Sequence, residues 1–224
     1  MEQLHEIASI IALTMGVAWA SGINLYATIL VLGLLGATGG MVLPENLMIL
    51  TEPMVIGAAG LMYAVEFFAD KVPGVDTGWD GLHTFIRIPA GALLAAGAVG
   101  EVHPPLALAA AIVGGGLAAA THVTKAGTRV LINTSPEPLS NWGASLSEDL
   151  VVVAGLWVAL NHPLLFIGLL ILFILLMIWL LPRIWTIIKK IFGSLGRLFR
   201  SAEKPDRPSP APTPKEIDIP PDLG

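Results

Sequence analysis

Four sets of ionisable and polar residues recur at helical spacing in a sequence that is otherwise oily. Glu66 and Asp70 are four residues apart. Asp80, His83 or Thr84, and Arg87 advance by three or four and then seven, and so do His122, Lys125 and Arg129. Asn141, Ser145 and Glu148 form the last set, with Asp149 beside them. On a helix each set lines one stripe up to two turns long. Such stripes could do electrostatic work. Lys125, Arg129 and Arg87 can attract an anion, and Glu66, Asp70, Asp80 and Glu148 can act as coupling or gating carboxylates. Carboxylates near His83 and His122 also suit a proton relay. The plainer reading is ion pairing that registers a bundle, Arg87 with Asp80, Lys125 with Glu66, and Arg129 with Glu148.

Other chemistries fit less well. His83, His122, Glu66 and Asp80 offer nitrogen and oxygen ligands, but there is no HExxH motif or dense histidine cluster, and Lys125 and Arg129 would oppose a cation. No metal and no cofactor is expected. Cysteine is absent, which excludes disulfides and thiol catalysis. Ser145 and Ser147 lack a nucleophile-elbow context, and no glycine loop cradles phosphate. A hydrolase pairing His122 with Ser145 is the one enzymatic alternative. The chain is not expected to be an enzyme or to bind nucleic acid.

The elements that must position these stripes are membrane helices. The chain of 224 residues is 54% hydrophobic and 13% charged, with a mean hydropathy of +0.76. A soluble protein is nearer a quarter charged. Apolar segments at residues 54–68, 88–99, 106–121, 150–160 and 164–181 flank two polar interruptions, 66–89 and 122–149. Each interruption reads as the tip of a helical hairpin, so that helix, tip and helix occur twice as a weak internal repeat. The start, Met1-Glu2-Gln3-Leu4-His5-Glu6, has no basic signal-peptide region, so the first apolar segment is expected to be retained. Residues 7–37 are broken by Ser21, Gly22, Ile23 and Asn24. Three readings fit them: a glycine kink, an interfacial helix followed by a crossing, or a hairpin with the break at its tip. Residues 39–53 read as a loop. Ser140 or Asn141 is the expected N-cap of the helix after the second tip, and Trp79 an interfacial anchor.

The expected fold is all-α and polytopic, with about six spans. Residues 1–182 form the membrane domain. Pro182 is expected to end the last span. Residues 183–200 read as a basic amphipathic helix lying on anionic lipids, and 201–224 as a disordered cytoplasmic tail. The basic stretch places the C-terminus and both tips in the cytoplasm. The small residues Gly114, Gly115, Gly116, Gly91 and Ala95 offer faces for a homodimer. The leading functional expectation is a transporter or channel for a small ion or anionic solute, through a charged cavity facing the cytoplasm. The alternative is a scaffold whose buried charges only pair, with the basic helix recruiting lipid or a partner.

At these residues the chain resembles the bacterial membrane proteins of the domain-of-unknown-function 4126 family (DUF4126). The likeness rests on Ser21-Gly22-Ile23-Asn24, and on Glu66, Asp70, Lys71, Pro73, Asp76 and Asp80 with Thr84 and Arg87. It continues through His122, Lys125 and Arg129, and through Ser135-Pro136-Glu137-Pro138 and Asn141 to Ser147-Glu148-Asp149. It covers roughly residues 7–163. The resemblance implies a multispanning inner-membrane protein and no established substrate, cofactor or catalytic residue.

Overall fold

The structure, a computed structural model, describes residues 2–72, 74–100, 104–133 and 138–202. It is built of seven α-helices: α1 (Glu2–Ile23), α2 (Leu25–Ala37), α3 (Pro53–Ala69), α4 (Val75–Ala98), α5 (Pro104–Ile132), α6 (Pro138–Asn161) and α7 (Pro163–Ala202). There is no strand among the described residues. Four helices are long and apolar enough to cross a membrane, and a fifth span results if the 3-10 turn Glu45–Thr51 is joined to α3 across a 67° bend. At 24 residues α4 also has the length of a span, but its first half carries the charges. The protein is thus a helical membrane protein. All that follows concerns the unit Met1–Ile188.

α1 is the central post. Ala12, Val17, Ala18 and Ala20 are fully buried, and α4, α5 and α6 all pack on it. Small residues allow that approach, since lipid supplies no hydrophobic drive and close backbone contact must hold helices together. A Cβ on Gly22 would meet the Ala118 carbonyl of α5, and one on Gly155 would strike the Trp19 ring.

The break at Asn24 is a hairpin tip. Asn24 leaves the helical conformation (φ −145°, ψ 101°), and its side chain accepts the Ala27 N–H as the N-cap of α2. α2 then runs back along α1, so that Ser9 and Leu13 share a cavity wall with Leu35 and Gly40. Of the three sequence readings, the hairpin is the one observed. Its tip stops inside the bundle, level with Gly91 and Thr121.

α4 and α5 form the most extensive helix pair. Gly114 lies on Ala95, Gly91 on Ala118, and Gly115 on Ala92. Of the small residues named for a second copy, Gly91, Ala95, Gly114 and Gly115 pack within one chain, and Gly116 has no neighbour within 4 Å.

Three local expectations are corrected. Residues 39–53 are not all loop, because Glu45–Thr51 winds into a 3-10 helix that buries Leu47 and Leu50. α6 starts at Pro138, ahead of Ser140 and Asn141, since proline is preset for a first helical position whose N–H has no intrahelical partner anyway. Pro182 does not end the last span, and α7 runs through it to Ala202. The carbonyl that Pro182 leaves without its helical N–H is that of Ile178, and the Arg183 guanidinium donates to the next one, the Trp179 carbonyl, at 2.7 Å. Residues 203–224 of the expected tail, residues 134–137 of the second tip and residues 101–103 between α4 and α5 lie outside the described residues.

Candidate functional site

The four stripes converge. α3 delivers Glu66 near its C-terminal end and Asp70 as its C-cap. α4 delivers Asp80, His83 and Arg87, α5 delivers His122, Lys125 and Arg129, and α6 delivers Asn141, Ser145, Glu148 and Asp149. All of these but Glu148 and Asp149 are buried. The convergence follows from topology: both polar turns lie at one end of the bundle, so stripes on four helix ends of complementary charge face one another. In lipid, facing inward is also the cheapest arrangement for each charge.

Lys125 is the hub. Its Nζ lies 3.2 Å from Glu66, 3.1 Å from Asp70, 3.3 Å from Glu148 and 3.8 Å from Asp80. Arg129 grips Glu148 with both fork atoms, Nε at 3.0 Å and Nη2 at 2.9 Å. It also donates to the carbonyls of Asp70 and Asn141 and to the Asp70 carboxylate. Arg87 donates to Glu66, and to Asp80 at 3.3 Å. The three pairs expected from the sequence are all formed, inside a larger network.

Arg87 also donates to His122 Nδ1 at 3.1 Å. A guanidinium has only protons to offer, so Nδ1 accepts and Nε2 carries the ring proton. That N–H faces Thr84 Oγ1 at 2.8 Å and the Asp80 carbonyl at 3.1 Å. Ser145 is not among the partners of His122, so the hydrolase pair does not form. His83 has the opposite tautomer. Its Nδ1 donates to the Trp79 carbonyl at 2.9 Å, and its Nε2 accepts from the Tyr26 hydroxyl at 3.1 Å.

Two further carboxylates are held by neutral donors alone. Asp149 accepts from Asn24 and from the Tyr63 hydroxyl, both at 3.0 Å, which ties the α1–α2 tip to α6. Asp76 is fully buried and accepts from Asn133 at 2.8 and 2.9 Å and from the backbone of Gly74 and Thr77. Asn133 thereby links the two polar turns, and its own oxygen accepts from Asn141 at 2.8 Å within the second. Lys71 stands apart: its ammonium lies over the Phe67 ring and donates to the Phe67 carbonyl.

Tyr26, Tyr63, Asp76 and Asn133 are the members that stripe-reading missed. Tyr63 lies three residues before Glu66 and on its face, and Tyr26 is two residues after the break at Asn24. The chain has only two tyrosines. Finding both beside polar stripes is a signal that spacing of charges alone does not register.

The balance of the cluster is acidic. Glu66, Asp70, Asp80 and Glu148 face three cations, and Asp76 and Asp149 add to the acid side. Glu66 Oε2, Asp70 Oδ1, Asp80 Oδ2 and Asn141 Oδ1 are buried with no hydrogen-bond donor among the described residues. Arg87 Nε and, on the ring beside His83, Trp79 Nε1 are the orphan donors there. A cavity of about 240 Å³ reaches the cluster from the side, between α5, α6 and α7, with Lys125 and Glu148 in its wall. Glu148 is the most exposed member of the ion-pair network, at 19%. Among the described residues no three His, Asp or Glu side chains gather as a metal-binding group.

No curated protein and no solved structure matches the chain. A family model described as "Domain of unknown function (DUF4126)" matches residues 11–183. The match takes in most of the apolar part of α7, beyond the end of the expected resemblance at residue 163. The chain belongs to the DUF4126 family.

Proposed function

We propose that this membrane protein is a transporter that exchanges a cation for protons at the buried carboxylate cluster. One observation carries the reading: acceptors outnumber donors. Every cation of the network is already engaged by carboxylates, and the unmatched buried acceptors, three of them carboxylate oxygens, outnumber the unmatched donors. A buried anionic oxygen without a donor is costly, and a proton or a cation relieves it. An anion would have to displace Glu66, Asp70 or Glu148 from Lys125 and Arg129. The reading therefore differs from an anion site built on Arg87, Lys125 and Arg129, and it makes Glu66, Asp70 and Asp80 the exchanging groups. His122, bridging Arg87 and Thr84, is placed to pass a proton along the network.

The compartment follows from Arg183, Lys189, Lys190, Arg197 and Arg200, with no acid between them in the sequence. We place the C-terminus and the cluster end on the cytoplasmic side of an inner membrane, with residues 183–200 against anionic lipid. A cysteine introduced at position 102 then labels only from outside.

The test is reconstitution into liposomes loaded with a pH-sensitive dye. Addition of Na⁺, K⁺ or tetramethylammonium should release protons for at least one cation, and Asp80→Asn should abolish the response in folded protein. A flat response to every cation, chloride included as the anion control, refutes transport. The pairing of all three cations with carboxylates favours one other reading, a structural scaffold. In that case Lys125→Ala fails to fold and is rescued by Glu66→Gln.

A further inference from the structure

The cavity beside Lys125 does not end at the ions. It shares Val151 and Phe173 with a second cavity of about 290 Å³, which runs on toward Val158 between α6 and α7. Together they form one groove with two kinds of wall. From Glu148 to Val158 it follows α6 for about 15 Å at a helical rise per residue of 1.5 Å. The far part is lined by Trp19, Ala154, Gly155, Phe166, Leu169 and Leu170. Only bulky side chains bridge to α7 here, Phe166 and Phe173 standing edge-on to Trp19 with centroids 6.0 and 6.1 Å away.

The near part has a defined polarity. Thr121 and Ser147 use their hydroxyl proton on the carbonyl four residues back, at 2.8 and 2.7 Å, and Thr124 shares its proton between the Ala120 carbonyl and Met177 Sδ, each at 2.8 Å. A hydroxyl has one proton and two lone pairs, so what these three turn toward the cavity is acceptor capacity. Glu148 adds a carboxylate at the same end. Lys125 is held by four carboxylates and cannot serve as a free positive charge. Phe173 stands where the two parts meet, and an aromatic face is a good neighbour for an ammonium group.

We infer that this groove takes a single-chain alkylammonium ion, its positive head among Thr121, Thr124, Ser147 and Glu148 and its tail along α6 toward Val158. The inference rests on the cation reading above and names the cation: an amphiphile that enters sideways from the bilayer instead of an ion that arrives through water. An anionic amphiphile of the same length has the tail but meets a wall of acceptors. A short ammonium has the head but leaves the apolar part of the groove unfilled.

The test uses the full chain in non-ionic detergent, read by native mass spectrometry. Dodecyltrimethylammonium should be retained as a one-to-one adduct, and dodecanoate and tetramethylammonium should not. Ala154 lines the tail part and is exposed, so Ala154→Phe fills the groove without disturbing the core, and it should weaken retention at least tenfold. Thr124→Val removes a head contact and should weaken it too, in protein that still elutes as one species. Equal retention of dodecanoate, undiminished binding by folded Ala154→Phe, or no adduct with the wild-type chain overturns the inference. Proton release with Na⁺ or K⁺ but no adduct leaves cation transport standing and removes the groove ligand. An adduct without cation-driven proton release removes transport and leaves the ligand.

Discussion

Lys125→Met separates a hub from a bystander. The substitution keeps the length of the side chain and removes its charge. Lys125 is 3% exposed and lies 3.1 to 3.8 Å from four carboxylates. At an effective dielectric of about 20, each contact near 3.2 Å is a raw attraction of roughly 5 kcal/mol. Desolvation of the ammonium and repulsion from Arg87 and Arg129 take back most of that sum. The measured cost of removing one partner from a buried pair is about 3–5 kcal/mol, and a hub should sit at the top of that range. Glu66→Gln in the same chain leaves one fewer anion stranded and should recover part of the loss, with a coupling of about 1–3 kcal/mol between the two positions. Unfolding of the purified protein in mixed micelles with rising SDS, followed by circular dichroism, gives all four corners of the cycle. A loss below about 1 kcal/mol for Lys125→Met would show that water or lipid reaches the cluster and screens it, and the buried-hub reasoning would fail.

The other predictions are local. Gly114→Leu drives a side chain into Ala95 and should cost at least the roughly 1–3 kcal/mol of overpacking, whereas Gly116→Leu, with no neighbour within 4 Å, should be nearly silent by the same measurement. Asn24→Ala removes both the cap of α2 and the Asp149 contact, for a loss above the usual cap cost of about 0.5–2 kcal/mol. Asn24→Ser keeps a capping oxygen and should lose less, and equal losses would deny the cap any role. Tyr63→Phe leaves Asp149 Oδ2 without its donor and should cost about 1–3 kcal/mol. An unchanged midpoint would mean that water replaces the hydroxyl.

The helical spacing of Glu66/Asp70, Asp80/Arg87, His122/Lys125/Arg129 and Asn141/Glu148 was enough to foresee one buried cluster. Charge on four helix ends in lipid has few other places to go. Individual pairs were legible for the same reason, because opposite charges at matching depth are limited in number. Four things were not legible. Donor and acceptor counts depend on which atoms meet, so the shift from an anion site to an acid-rich one had to come from geometry. The fate of the small residues was ambiguous, because Gly91 and Gly114 are equally suited to a neighbour in the same chain or in a second copy. Pro182 misled because the local rule that proline stops a helix is weaker in membrane helices, where one missing N–H is tolerated. Asp76 and Asn133 escaped because their partners are amides and backbone, which leave no charge pattern in the sequence.

The placement of Asn24 has a consequence for biogenesis. Its amide reaches Asp149, 125 residues further along the chain. While a ribosome is still making α3 to α5, that partner does not exist, and a bare amide at the end of a hairpin has no reason to leave the aqueous or translocon environment. α2, at 13 residues, is also too short to be retained as a span on its own. The tip therefore cannot make its contact with Asp149 until α6 has been made, although α2 can already pack on α3. A nascent chain arrested before residue 141 should leave a cysteine at position 27, which keeps Asn24 in place, open to a water-soluble maleimide, and one arrested after α7 should shield it.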